Sequence, residues 1–428
     1  MRRLAYGLAL GLGLAAAAPW LGARLARGRY RRITAGRLGL GRSWLPAPGR
    51  AGGIWVHALS VGEVRSTLPL LDALAARFPR LPLTLSLATA QGLAVAQQAL
   101  AGGKEPAVFV RPLELPWAVG RVLDRLQPRL FCLVEGDIWP GWHWALQDRG
   151  VPCLLVNGRV SPRTFRAYRR FAPLARGLLG SLDRILVQTD LDRRRLLAVG
   201  VDPARVAVGG NLKFDSAPRP LSPEERRELA RELGLEERTV LVAGSTHPGE
   251  EEPCLEALAA LRREHSGLAL VIAPREVSRG GAVARLAAAR GLSAARVSRG
   301  EDAGRAEVLV LDVLGRLAAV YALARAAFVG GSLVPVGGHN LLEPAAQGVP
   351  VVFGPHTHNF LEMARRLEEA GGGLRVTDGG ELAAAWARLL ERREEAEAMG
   401  RAGREFCAAH RGAVARAVAE IAALVGEP

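Results

Sequence analysis

The chain has 428 residues, too long for one ordinary domain and suited to two or three. Apolar residues make up 49% and charged residues 23%, which excludes an intrinsically disordered chain. The formal charge of +15 points to an anionic partner; aromatics are only 5%, however, and no stretch interleaves Lys or Arg with Phe or Tyr, so nucleic acid is excluded as the expected partner.

The first element is an uncharged run from Leu4 to Gly22. Nineteen residues of helix span about 28 Å, close to the thickness of a bilayer's hydrocarbon core. Arg2 and Arg3 precede it, and Arg24, Arg27, Arg29, Arg31 and Arg32 follow. The more basic flank stays cytoplasmic, so residues 1–32 read as an anchor in the inner membrane with the body of the protein on its cytoplasmic side. The small residues of AAAAPW would also suit a cleaved signal peptide, but the arginines just downstream argue against export. A helix lying in the membrane interface fits the Gly- and Ala-rich composition as well.

Beyond the linker near Pro46–Gly53, strand-like and helical runs alternate. IWVHAL (54–59) predicts a buried strand, and Val64, Leu68, Leu71, Leu74, Ala75 and Phe78 recur at helical spacing after it. LTLSLA, AVFV, RLFCLV, PCLLVN and RILVQ follow, completing a Rossmann-like domain over residues 50–214. The Pro- and charge-rich residues 215–237 read as a connection. A second series (VLVAG, LALVIA, EVLVLD, AAFVGG, VPVVFG, GLRV) predicts another such domain over 238–400. Residues 401–428 carry the end of a last helix, from about Gly400 to Leu424, expected to pack back on the first domain. The fold class is therefore α/β, with two doubly wound domains facing a ligand cleft at the carboxyl ends of their sheets. Cys132, Cys153, Cys254 and Cys407 are far apart, with no C-x-x-C pair, and read as reduced core thiols.

Polar residues gather at the strand-to-loop junctions. In HALSVGE (57–63), Gly62 is expected to let the chain turn sharply after Ser60, with Glu63 facing the cleft at a helix N-terminus. Its carboxylate can take a proton from an attacking hydroxyl; it can equally compensate the helix dipole. VEGDIWP (134–140) puts Glu135 and Asp137 at another strand end, where Asp137 suits an N-cap as well as a cleft position. NGRVSPRTFRAYRR (157–170) follows the next strand with Arg159, Arg163, Arg166 and Arg169, which can grip phosphates or form a solvated face. GNLKFD (210–215) places Lys213 as a compact cation at the crossing between halves. AGSTHPGEEE (243–252) turns from strand to helix with N–H groups expected to form an anion site, and Pro274-Arg275 ends the following strand in the same manner. In FVGGSLVPVGGHNLLEPAAQGVPVVFGPHTHNF (328–360), Gly330 and Gly331 are expected to bring amides to a phosphate. His339, Asn340 and Glu343 then begin a helix, with Glu343 able to accept from ribose hydroxyls. Asp190-Leu191-Asp192 opens a helix and reads as a cap, not as a metal-binding D-x-D.

These strings, in this order, resemble the 3-deoxy-D-manno-octulosonic acid (Kdo) transferases, family 30 of the glycosyltransferases, from the N-terminal anchor to at least residue 376. The resemblance implies a GT-B fold. It also implies inverting, metal-independent transfer of Kdo from CMP-Kdo, a donor substrate with no further cofactor, to a lipid A precursor at the membrane surface. Carried over residue by residue, Glu63 matches the base, and Glu135 and Lys213 match positions that stabilise the transition state. Pro274, Arg275, Leu314, Gly315, Arg316, Asn340, Leu341, Leu342 and Glu343 match the CMP contacts. Ser60, Gly62, Arg159, Arg163, Gly331, Ser332 and His339 are the remaining candidates for substrate contact, and no residue is expected to hold a metal. The chain departs from the family pattern at Gly136-Asp137, Gly158, Glu276 and Arg316, the last reversing a charge beside the nucleotide, where the backbone of Leu314–Arg316 can still bind. Two other readings compete: a GT-B transferase taking a UDP-sugar and a lipid acceptor, and a non-catalytic membrane-tethered relative.

Overall fold

Every one of the predicted apolar runs is a strand in the computed structural model, which describes residues 2–26, 34–40, 49–100, 106–136 and 138–426. Asp137 and the arginines at 27, 29, 31 and 32 lie outside the described residues. Compact unit 1 comprises Met1–Ser216 with Arg411–Pro428, and unit 2 comprises Ala217–His410.

Unit 1 holds β1 (Ile54–Ala58), β2 (Leu83–Leu87), β3 (Ala107–Val110), β4 (Leu130–Val134), β5 (Cys153–Gly158), β6 (Arg184–Val187) and β7 (Val206–Val208). They form one parallel sheet in the order β3-β2-β1-β4-β5-β6-β7. Alternation along the strands splits the core in two. Trp55, Phe131, Leu133, Cys153 and Ile185 face one side, and Val56, Leu85, Cys132, Leu154 and Leu186 face the other. The second side is covered by the helix Val61–Arg77 and by the helix Ala413–Val425, whose Ala413, Ala417 and Ile421 are buried there. Fully burying a side chain such as Ile421 contributes about 1.5–3 kcal/mol, which is what holds the chain's last helix on this unit.

The end of the chain differs from the single helix read in the sequence. Gly412, at φ +94°, breaks it into Arg393–Ala409 and Ala413–Val425. Asp215 caps the second piece, its carboxylate accepting from the amides of Gly412, Ala413 and Val414 at 2.8, 2.9 and 3.2 Å.

Unit 2 holds β8 (Thr239–Thr246), β9 (Leu268–Pro274), β10 (Ala294–Arg296), β11 (Val308–Val310), β12 (Ala324–Val329), β13 (Val351–Phe353) and β14 (Gly373–Arg375). Their parallel order is β10-β11-β9-β8-β12-β13-β14. Each sheet thus contains the 3-2-1-4-5-6 order of a Rossmann fold plus one extra edge strand, β7 in the first and β10 in the second. The segment read as a connection carries a helix, Pro223–Glu232, opened by a capping box between Ser222 and Glu225.

The N-terminal helix runs from Arg2 to Ala26, with Pro19 inside it. Its stretch Tyr6–Ala23 is long and apolar enough to cross a membrane and has no buried residue, a test that a signal sequence also passes. Leu8, Leu12 and Trp20 are exposed, while the Tyr6 ring meets the edge of Trp144 at 5.5 Å.

Candidate functional site

A doubly wound sheet reverses its strand order at one point, and the loops that leave the strands there diverge and open a crevice. In unit 1 that point lies between β1 and β4. The helix that follows β1 carries Glu63 in its first turn, and the residue after β4 is Glu135.

Ser60 caps the helix Val61–Arg77, its hydroxyl oxygen accepting from the Glu63 amide. The Glu63 side chain folds back over the same turn. Its Oε2 accepts from the Leu59 amide at 2.6 Å and its Oε1 from the Ser60 hydroxyl at 3.2 Å. The arrangement differs from a capping box in that the carboxylate reaches the amide one residue before the cap, and it leaves Glu63 only 9% exposed. A carboxylate has about four lone-pair sites, so these two bonds do not exhaust its capacity to accept. Gly62 does not make the turn. It lies inside the first helical turn without a positive φ, and a Cβ there would meet only the Ser60 hydroxyl oxygen at 4.0 Å. The bend is made by the extended Ser60 cap, and Gly62 leaves space beside Glu63.

Glu135 has φ +63°, and Asn157, at the end of the neighbouring β5, has φ +59°. Left-handed backbone costs a non-glycine residue about 1 kcal/mol, less for Asn. The pairing of β4 and β5 holds both, with the Glu135 amide donating to the Val156 carbonyl at 2.9 Å. The Asn157 side chain is buried and donates to Glu135 Oε1 at 3.0 Å. Lys213 lies in the short helix Leu212–Asp215, capped by Asn211, and the Leu212 amide donates to Asn157 Oδ1 at 3.1 Å. Asn157 therefore joins the Glu135 carboxylate to the segment bearing Lys213. Arg159 is exposed and lines, with Glu135 and Gly136, a cavity of about 100 Å³. Arg163, Arg166 and Arg169 are exposed on the helix Pro162–Arg170, which buries no residue.

In unit 2 the switch point lies between β8 and β12. Gly330 is obligatory, because a Cβ would sit 2.6 Å from the Ser245 carbonyl oxygen and 2.7 Å from Thr246 Cα. The amides that follow do not await a phosphate. Fully buried Glu250 accepts from Gly331, Ser332 and Leu333 at 2.7, 3.0 and 2.9 Å, and from His247 at 2.9 Å. The nest exists, but the chain's own carboxylate fills it. Within AGSTHPGEEE, where an anion site was expected, the same carboxylate takes the His247 amide. Ser332 is likewise internal, 1% exposed, with its hydroxyl donating to the Val329 carbonyl and accepting from the Gly354 amide.

Arg275 is exposed beyond Pro274 at the end of β9, its amide tied to the Thr246 carbonyl at 2.9 Å. Leu314 is exposed and Gly315 has φ +81°. The Arg316 guanidinium is engaged by Glu232 through two bonds of 2.8 and 2.7 Å, so the reversed charge at this position is matched within unit 2. Asn340 Oδ1 accepts from the Leu342 amide, and its Nδ2 donates to Glu343 Oε1 at 3.3 Å. Leu341 and Leu342 are buried core side chains, leaving only their backbone to meet a ligand. His339 Nε2 lies 2.8 Å from His247 Nε2, with the two rings parallel within 5°.

Residues 28–216 match the family model described as 3-Deoxy-D-manno-octulosonic-acid transferase (kdotransferase). A 3-deoxy-D-manno-octulosonic acid transferase of Bordetella pertussis is 36% identical over 408 residues, 93% of each chain. This chain belongs to the Kdo transferase family. A transferase of the same name from Haemophilus influenzae is 33% identical over 91% of this chain and 90% of its own. The Kdo transferase described here is therefore an enzyme of the glycosyltransferase class.

Solved structures share its α/β fold of the GT-B type. UDP-GlcNAc 2-epimerase from Neisseria meningitidis superposes with a TM-score of 0.57 at 12% identity, over 87% of this chain and all of that one. A glycosyltransferase from Rickettsia africae gives 0.55 at 10% identity, over 88% of this chain and 100% of the other.

The four cysteines of this transferase are free and buried, and burial pushes the thiols of Cys132 and Cys153 up to about 12. The helix Asp190–Val199 is capped by Thr189, not by the aspartates read as a cap: the Thr189 hydroxyl accepts from the Asp192 amide, and the Asp192 carboxylate accepts from the Val160 amide and the Thr189 hydroxyl. Sequence reasoning missed Asn157, Glu250 and His247. Each lay inside a quoted motif, but its partner is contributed by a different segment, which spacing alone cannot reveal.

Proposed function

We propose that this Kdo transferase moves Kdo from CMP-Kdo to a hydroxyl of a lipid A precursor in lipopolysaccharide synthesis, with inversion and without a metal. The acceptor oxygen forms the new bond to the ketosidic carbon as the bond to the CMP phosphate breaks. The electron pair of that bond leaves with CMP, and the acceptor proton passes to Glu63. Glu135 offsets the positive charge that develops on the sugar, while Lys213 and Arg275 offset the charge gained by the phosphate. Pro274, the Leu314–Arg316 backbone and Asn340–Glu343 hold the cytidylate. The observation that carries this reading is the Glu63 carboxylate, locked on the first turn after β1 beside the strand that ends in Glu135. The helix Arg2–Ala26 supports attachment to the inner membrane with the transferase on the cytoplasmic face, where a lipid acceptor is reached.

The test is turnover in detergent with CMP-Kdo and lipid A precursor, in the presence of EDTA. One CMP should be released for each Kdo added, and the anomeric configuration of the product should be opposite to that of the donor. A requirement for a divalent ion, or retention of configuration, contradicts the mechanism; consumption of UDP-sugars in place of CMP-Kdo contradicts the donor.

A further inference from the structure

The side chain of Asn157 is committed at both ends. Its Oδ1 accepts from the Leu212 amide at 3.1 Å, and since an amide N–H can only donate, the orientation of the carboxamide is fixed. The NH2 group consequently faces Glu135 and donates to Oε1 at 3.0 Å. The main chain of Asn157 is held as well, its carbonyl accepting from Gln188 Nε2 at 3.1 Å. Gln188 Oε1 accepts from Asn211 Nδ2 at 3.2 Å, and Asn211 Oδ1 accepts from the Lys213 amide at 3.0 Å. The circuit runs from the Glu135 carboxylate through Asn157, Gln188 and Asn211 to the backbone of Lys213, entirely within unit 1.

Backbone conformation supports the same reading. Glu135 and Asn157 both have positive φ at the ends of adjacent strands, and strain of this kind persists only where the surroundings over-determine it. At 2% exposure Asn157 has little access to solvent, so its bonds with Glu135 and Leu212 are made at the expense of water.

We infer that Asn157 is a positioning residue for the transfer. It keeps the Glu135 carboxylate aimed, and it sets that carboxylate in register with Lys213. The inference rests on the proposed role of Glu135. An Asp at this position would still accept from Leu212 but would set a second carboxylate against Glu135, disfavouring its ionised form. A Leu would make neither bond.

Four variants decide the matter, each followed by kcat, KM for CMP-Kdo and the pH–rate profile, with the thermal midpoint as a control for folding. In Asn157→Asp, kcat at pH 7 should fall at least tenfold with KM within twofold of the parent. The acidic limb of its profile should move up by at least one pH unit, so that raising the pH restores part of the activity. Asn157→Leu should lose kcat at every pH without recovery. Should the Asn157 variants fail to fold, Gln188→Leu gives the reading. It leaves Glu135, Asn157 and Lys213 in place, and should lower kcat about fivefold at constant KM. An inactive Glu135→Gln enzyme beside an Asn157→Asp enzyme with parental kcat and profile overturns the inference, as does parental kcat in Gln188→Leu where that variant is the readout. Full activity in Glu135→Gln instead removes the role of Glu135 itself.

Discussion

The Glu63 carboxylate accepts from the Leu59 amide and the Ser60 hydroxyl just before its helix, which holds it in place for the base role proposed above. Helix-dipole compensation and proton acceptance, the two roles weighed in the sequence, are compatible, because a carboxylate in the first helical turn offers about four lone-pair sites. Elsewhere single residues carry stability. His143 is fully buried, and among the described residues neither ring nitrogen has a hydrogen-bond partner. Burial first, then the charges of Arg111 and His57, push its imidazole down to about 3. The unfolded chain takes up a proton near pH 6.5 that the folded chain refuses. Its contribution is therefore full above that pH and is lost as pH falls towards 3, with a slope of up to about 1.4 kcal/mol per pH unit. Thermal midpoints measured from pH 7 to pH 4 should fall less steeply for His143→Leu than for the parent, and parallel curves would contradict this assignment. What sequence could not show at this scale was occupancy. Gly330 and Gly331 were expected to bring amides to a phosphate, but the Gly330 amide donates to the Gly244 carbonyl and the Gly331 amide to Glu250, distant in sequence.

At the scale of elements, the strongly apolar runs were legible because a parallel strand covered on both faces leaves little room for polar residues. The two strands that escaped notice, β7 and β10, are three-residue edge strands, and their burial is incomplete. Such segments carry neither length nor alternation to read. The break at Gly412 was hidden for a related reason: the apolar periodicity resumes directly after it, and the left-handed φ shows only in the folded chain. The helix Pro162–Arg170 is open in both readings, a solvated face or a grip on acceptor phosphates, since its arginines are exposed. If it is a grip, replacing Arg163 by Gln should raise KM for the lipid acceptor about five- to tenfold, one lost phosphate contact being on the order of 1–1.4 kcal/mol, while CMP affinity stays the same. An unchanged acceptor KM would make this a solvated face.

Across the whole molecule, composition and order of elements carried most of the argument. Two sheets sharing a six-strand Rossmann order, each with candidate motifs at its switch point, were foreseeable from alternating strands and helices and from the position of each motif just after a strand. The basic excess finds its rationale in anionic substrates, since Kdo, CMP and phosphorylated lipid all carry negative charge. Less legible was how the chain divides. The last helix joins the first unit because Ala413, Ala417 and Ile421 complete the core over its sheet, a pairing that depends on tertiary packing rather than on local pattern. The chemistry proposed for this transferase turns on Glu63 of unit 1 as the group that takes the acceptor's proton. Its most direct test pairs CMP-release kinetics with calorimetric CMP binding for Glu63→Ala. Release from CMP-Kdo with lipid acceptor should fall by at least a hundredfold while CMP affinity stays within twofold. Turnover within tenfold of the parent would contradict the account.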